Sequence, residues 1–294
     1  MLTFAVPVVL TNLGQQCYQI VDAAIVGRGV GVDALAAVGC TDWTYWLILW
    51  SMSVMAAGFA TFVSRFFGSR DYEKMNRAIV TMSVLSAVIS LVVTAAGLLL
   101  AKPILQWMHT PEDILSDAVI YLSTMIAGTI VVTAYNLAAS ILRAFGDSKS
   151  PLVAMIIAAV LNIALDLLFV MAFEWGVFGA AFASVLSQLA AFSYCFVKIL
   201  KVEYVKIDRA ALAWDRKLAW EILAFGLPLA LQYIIINFSG MMLQSTINTQ
   251  GKDFVPGLVA VLVIAAIVVY MCINADKKVK KEYELKGTKA TVKS

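Results

Sequence analysis

Long apolar stretches separated by short polar turns run through almost the whole chain, and their length is the informative feature. Runs of about 20 residues, enough for a helix to cross a hydrocarbon core of ~30 Å, recur at 3–26, 43–66, 78–101, 114–141, 151–173, 177–200, 218–248 and 255–274. Eight transmembrane helices are predicted, and with them an all-α polytopic membrane protein. The first run is read as a span in its own right. Met1 to Val9 carries no basic segment, and the apolar stretch runs on without the small-residue pattern of a cleavable leader.

Composition strengthens this reading. Hydrophobic residues make up 62% of the 294 and charged residues only 14%, where a soluble globular domain carries about a quarter charged. Mean hydropathy is +0.87. The net charge of +3 matters less than its distribution: of 22 Lys and Arg residues, all but Arg28, Lys102 and Lys252 fall on one side of the predicted membrane if the N-terminus is placed in the cytoplasm. That asymmetry assigns a cytoplasmic N-terminus and an even number of spans, hence two cytoplasmic ends in a cell membrane. The basic clusters alternate with acids and flank spans, so they read as topology and headgroup contact, with no nucleic acid as partner. Trp43, Trp46, Trp50, Trp107 and Trp175 lie near span ends, as interfacial anchors do. Cys17, Cys40, Cys195 and Cys272 are scattered in or beside apolar segments and read as small buried hydrophobes.

An internal repeat organises the chain. The opening FAVPVVLTN returns as FGLPLALQY, with Phe4 and Pro7 matched by Phe225 and Pro228, each proline early in a span that starts on the cytoplasmic side. The expected divisions are a six-helix lobe at 1–200, a polar cytoplasmic connector at 201–217, two helices opening a second lobe at 218–275, and a basic cytoplasmic tail at 276–294. A second lobe of that length lacks four spans of a full repeat.

Polar side chains then stand out against this background. An ionised carboxylate at bilayer depth costs on the order of 2.5 kcal/mol or more, so one found there faces a cavity, an ion or a proton path. Asp22 and Asp166 are two such residues. At about 1.5 Å of rise per residue, the outward-climbing first and fifth spans bring them to similar heights in the outer half. The descending fourth and sixth spans bring Tyr121 and Ser184 to the same leaflet. Asn162 lies one turn before Asp166 on the same helical face, and Asn136 lies deeper, in a pathway position. These acids, amide and hydroxyl are the hard oxygen ligands a cation accepts; a pair of acids can equally carry a proton. Tyr121 and Ser184 have an alternative role as interhelical hydrogen-bond partners. For the aspartates a structural salt bridge would need a buried cation, and no Lys, Arg or His falls mid-span. His109, the only histidine, lies in the outer loop QWMHTPED and reads as a solvated loop residue. Pro7 and Gly14 make the first span a bending helix, and Gly176, Gly179, Ala180, Ala181 and Ala183 allow close packing around the site.

Several segments in order resemble the multidrug and toxic compound extrusion (MATE) family: VDAAIVGRGVG with ALAAVG (Val21 to Gly39), SRFFGSRD, ILRAFGDSKSP, LNIALDLLF, GVFGAAFASVLSQ, FGLPLALQ and LQSTINTQG, covering about residues 1–251. The resemblance implies cation-coupled export of amphipathic, often cationic small molecules by rocking of two six-helix lobes. Carried over residue by residue, it implies a cation or proton site at Asp22, Asn162, Asp166 and Ser184, with Ser184 in place of the more usual threonine, and cavity-lining roles for Tyr121 and Asn136. It implies no cofactor beyond a bound Na+ where coupling is to sodium. Family members have twelve spans, so the expectation is a transporter lacking most of its C-terminal lobe, working through self-association or a complementing lobe.

Two other functions stay open at this stage. One is a lipid-linked precursor flippase of the same superfamily, which a cationic groove would favour; no mid-span Lys or Arg supplies one. The other is a non-transporting accessory or truncated membrane protein that uses the first lobe as an interaction scaffold. An enzyme is not expected, since no nucleophile and base pair or metal-ligand spacing stands out.

Overall fold

A computed structural model describes residues 21–205 and 214–249, with side chains through Ser239 and at Met242. The predicted features on Phe4, Pro7, Gly14, Cys17, Cys272, the last span at 255–274, the basic tail and residues 206–213 of the connector lie outside the described residues. By internal contact the chain divides into two units, Met1–Met241 and Met242–Ser294, and the description that follows concerns the first.

The described residues are helical, with no strand among them. A helix at 21–29 (α1) is followed by α2 (Val32–Gly68), α3 (Tyr72–Trp107), α4 (Glu112–Ala127), α5 (Thr129–Ala144), α6 (Lys149–Asp166), α7 (Gly176–Leu200) and α8 (Arg216–Thr249). Five of these are long and apolar enough to cross a membrane, and α4 with α5, bent by 43°, makes a sixth when read as one span.

Local chemistry explains where the helices begin. Three that start at the basic end of the bundle have an aspartate over their free N–H groups. Asp71 accepts from Lys74 N at 3.1 Å. Asp147 accepts from Lys149 N at 3.0 Å and Ser150 N at 2.9 Å, just ahead of Pro151, whose missing N–H costs nothing in a first turn. Asp215 accepts from Lys217 N at 2.9 Å and Leu218 N at 3.1 Å. A carboxylate at these positions satisfies orphan donors and meets the positive end of the helix dipole. The helices that start at the opposite end, α2, α4 and α7, have no side-chain cap.

In two places the structure departs from the simple span pattern. The fourth predicted span is broken at Gly128, where a Cβ would overlap Val185 Cγ2 of α7; the close approach of α7 requires a glycine, and the helix bends there. In the fifth, the α-helix stops at Asp166 and continues as a wider π-helical turn, Leu167–Ala172. The bond from Phe173 N to Leu168 O, at 2.9 Å, skips one more residue than an α-helix does.

Helix α6 packs on α7, α5 lies against α2 and α7, and α2 also contacts α3 and α4. The largest core, toward the basic end, is built on Met55, Phe59, Met75, Met82, Leu142 and Ile222. A second, toward the other end, joins Val26, Ala34, Val38, Tyr121, Met125, Val170, Val177, Ala180 and Ala181. It is this second core that positions Asp22, Tyr121, Asp166 and Ser184.

Candidate functional site

Asp166 is the last residue of regular α6, fully buried at 0% exposure, and Asp22 of α1 is 8% exposed. Their carboxyl groups lie against each other, within reach of a shared proton. Neither Asp166 oxygen has a hydrogen-bond donor, nor does Asp22 Oδ1. The only ion pairs among the described residues, Lys74 with Asp71 and Arg77 with Glu73, are at the basic end at the start of α3. Two carboxylates face to face in a poorly screened interior repel strongly unless a positive charge comes between them. A proton or a cation between them would remove that repulsion.

The rest of the shell is built by helical spacing. Asn162, 1% exposed, stands one turn before Asp166, and its Nδ2 donates to Ser184 Oγ of α7 at 3.2 Å. With its NH2 group turned to Ser184, Asn162 leaves Oδ1 buried and without a donor. Four uncommitted oxygens, from Asp22, both sides of Asp166, and Asn162, are consequently concentrated around the α1, α6 and α7 contact. Their chemistry fits a hard cation such as Na+, or a proton, and the residues that would hold it are Asp22, Asn162, Asp166 and Ser184. No group of three His, Cys, Asp or Glu side chains with metal-binding geometry occurs among the described residues.

Tyr121 also comes to this region. It is buried in the core that holds Val26, one turn beyond Asp22, and Ala180 and Ala181, one turn before Ser184. Asn136 does not join the acids. It accepts from Ser53 Oγ of α2 at 3.4 Å and stands farther along α5, toward the basic end. The end of α1 is pressed on the π-helical turn, since a Cβ at Gly29 would come within 2.7 Å of Met171 Sδ and 2.9 Å of Val170 Cγ1. Both acids thus sit next to the one wide turn found among the described helices. His109 is in the turn between α3 and α4, away from these residues, as expected for a loop position. Cys40 and Cys195 form no disulfide.

One acid escaped the sequence reading. Asp42 lies at the flank of the second apolar run and reads there as part of a polar turn, but α2 begins at Val32 and places it well inside a helix. Val38 and Tyr45, one turn to either side, pack in the core with Val26, while Asp42 itself is exposed and within electrostatic reach of Asp22. The 3.6-residue spacing of Val38, Asp42 and Tyr45 is the signal that could have found it. Thr129, Thr133 and Gln188 were also passed over; each buries a side-chain oxygen without a partner.

Comparisons with known proteins bear on the family and the fold. The family model described as MatE matches residues 7–168. The chain is 31% identical over 266 residues to the probable multidrug resistance protein YpnP of Bacillus subtilis (strain 168), a match covering 90% of this chain and 59% of that protein. It is 22% identical over 254 residues to the multidrug export protein MepA of Staphylococcus aureus (strain MRSA252), over 86% of this chain and 56% of that one. A solved structure described as MATE in the bent conformation superposes with a TM-score of 0.80 at 25% identity, covering 90% of this chain and 60% of that chain. An inward-facing multidrug resistance MATE family transporter of the MOP superfamily does so with a TM-score of 0.74 at 26% identity, over 82% and 55%. The chain spans a little over half the length of the curated relatives it matches.

Proposed function

Because the chain belongs to the MatE family, a family of membrane transporters and not of enzymes, we propose that it serves in cation-coupled export of amphipathic or cationic small molecules across the cytoplasmic membrane. The observation that carries this reading is the contact of two buried acids, Asp22 and Asp166, three of whose four oxygens lack donors and which form no ion pair among the described residues. A purely structural pair would be a costly arrangement. A pair that takes up Na+ or H+ and lets it go has a reason to be built this way.

The roles follow from the geometry. Asp22 and Asp166 hold the coupling cation. Asn162 offers its free oxygen, and Ser184 keeps that amide turned the right way. Tyr121 closes the apolar side of the site, and Asn136 lines the way toward the cytoplasm. Filling the site draws α1 and α6 together, and emptying it lets their like charges push apart, which biases α1 between two positions against the π-helical turn. Exchange results when cation and substrate favour different states. Alternating access needs two halves around a central site, and the described lobe supplies the half that senses the cation. Both termini are assigned to the cytoplasm from the distribution of Lys and Arg.

The test is flux. The full chain in proteoliposomes is loaded with a fluorescent organic cation and given a Na+ gradient or a pH gradient separately. One of the two gradients is expected to drive efflux, and Asp166→Asn to abolish it with membrane insertion unchanged. Efflux indifferent to both gradients, or unaffected by Asp166→Asn, refutes the proposal.

A further inference from the structure

The outward sides of α2 and α3 differ in chemistry. The exposed side of α3 carries Val84, Val88, Leu91, Val92 and Leu99, which is what acyl chains solvate. Along α2 the open side runs through Leu35, Asp42, Trp46, Trp50, Val54, Ala57 and Thr61, with Leu35, Asp42, Trp50, Ala57 and Thr61 exposed and Trp46 and Val54 half-buried, at spacings that keep them on one side of the helix. An exposed acid within electrostatic reach of buried Asp22 makes a poor lipid surface, and Trp46 and Trp50, one and two turns further into the helix, stand deeper than the interfacial anchors expected from sequence. Together the acid and the indoles make a good wall for a cleft that takes an organic cation: the acid supplies a counter-charge, and indole faces attract both an ammonium group and an apolar body.

We propose that this line of α2 is the surface that receives the transported molecule itself, with the Asp42 carboxylate meeting its positive charge and Trp46 and Trp50 packing on its hydrophobic part. This rests on the transport reading above and specifies the substrate-binding residues for it. Trp50 is 40% exposed and available for contact, whereas Trp46 is half-buried and held against Trp43, with ring centroids 6.1 Å apart. Asp42 has no ion pair among the described residues. Its neighbour toward α1 is Asp22, whose buried Oδ1 also lacks a partner.

The placement has a consequence for coupling. Asp42 is within electrostatic reach of Asp22, so a positive charge held at one raises the cost of a positive charge at the other. Substrate cation and coupling cation therefore compete without sharing a ligand. Competition of this kind is what exchange of one cation for another requires.

Binding tests this directly, without transport. The full 294-residue chain in lipid nanodiscs is titrated with ethidium, followed by anisotropy, and with the uncharged dye N-phenyl-1-naphthylamine. Asp42→Asn is expected to weaken ethidium binding by about ten-fold or more and to leave the uncharged dye within about two-fold. Trp46→Leu should weaken both dyes, Asp42→Glu should keep most of the ethidium affinity, and Asp113→Asn, at the exposed start of α4, should change neither. Ethidium bound equally by the wild type and Asp42→Asn overturns the proposal, as does an equal loss of both dyes in Asp42→Asn. Should Asp42→Asn not fold, ethidium affinity lost in a folded Asp42→Glu overturns it as well. Binding that behaves as expected in a protein that shows no gradient-driven efflux refutes the transport reading and leaves this assignment standing.

Discussion

The side-chain amide of Asn162 donates to Ser184 Oγ at 3.2 Å, tying α6 to α7 one turn from Asp166. The bond orients the amide so that its oxygen, not its NH2 group, is left among the acids. In the proposed site Ser184 is therefore a positioning residue as well as a candidate ligand. Ser184→Ala should weaken the dependence of flux on the driving cation by roughly three- to ten-fold while costing only ~0.6 kcal/mol of stability, the usual size of an interhelical hydrogen bond in a bilayer. Ser184→Thr, which keeps the hydroxyl, should restore the cation dependence. Measured cation activation curves and thermal midpoints check this; Ser184→Ala curves matching the wild type would count against the role.

Since Asp22 and Asp166 lie against each other, they should behave as one unit. Asp22→Asn and Asp166→Asn are each expected to lower cation affinity by about 10- to 100-fold. The double variant should be little worse than either single one, because a broken pair cannot be broken twice. Each single variant also removes the mutual repulsion, so thermal stability should hold or rise. Additive losses of cation affinity would show two independent sites.

The bend at Gly128 depends on the approach of α7. Gly128→Ala places a methyl group where Val185 Cγ2 already lies, and overpacking of this kind costs about 1–3 kcal/mol. Adding Val185→Ala should recover most of the loss, as coupled neighbours do. Unfolding of the four proteins in mild detergent measures the cycle, and an uncoupled, additive result would show that the contact does not set the bend.

At the basic end, the Lys74 side chain and backbone N–H both donate to Asp71 and hold its carboxyl below the ordinary value of 3.8. A carboxyl lowered on folding favours the folded state in full above its unfolded value and loses that contribution as pH falls through the folded one. Asp71→Asn keeps a capping side chain but not the charge. Its thermal midpoint should lie slightly under that of the wild type at about pH 6 and converge with it as the pH is brought below 3.8. A gap that does not change with pH would assign the effect to the cap alone.

Much of the site was legible in the chain because an acid in a long apolar run has few innocent explanations. Asp22 and Asp166 could be placed at one height by counting along helices of known direction, and Asn162 by its spacing from Asp166. Asp42 was hidden by its position beside a run rather than within it. Only the extension of α2 upstream to Val32 turns that edge into helix interior. Asn136 was grouped with the cavity residues by resemblance, and its partner Ser53, on another helix, could not be guessed.

The sequence by itself determined that the described residues form long apolar helices and where each one is centred, but not where α2 begins. Hydrocarbon makes the same demand on every residue of a span, so length and apolarity are enough to find one. The cation-side asymmetry of Lys and Arg is of the same kind. Tertiary structure alone decided where α4 gives way to α5, where α6 widens after Asp166, and which oxygens come to face one another without a donor. Those outcomes depend on how closely two helices approach and at what rotation. A pattern that is apolar on every side carries no record of either.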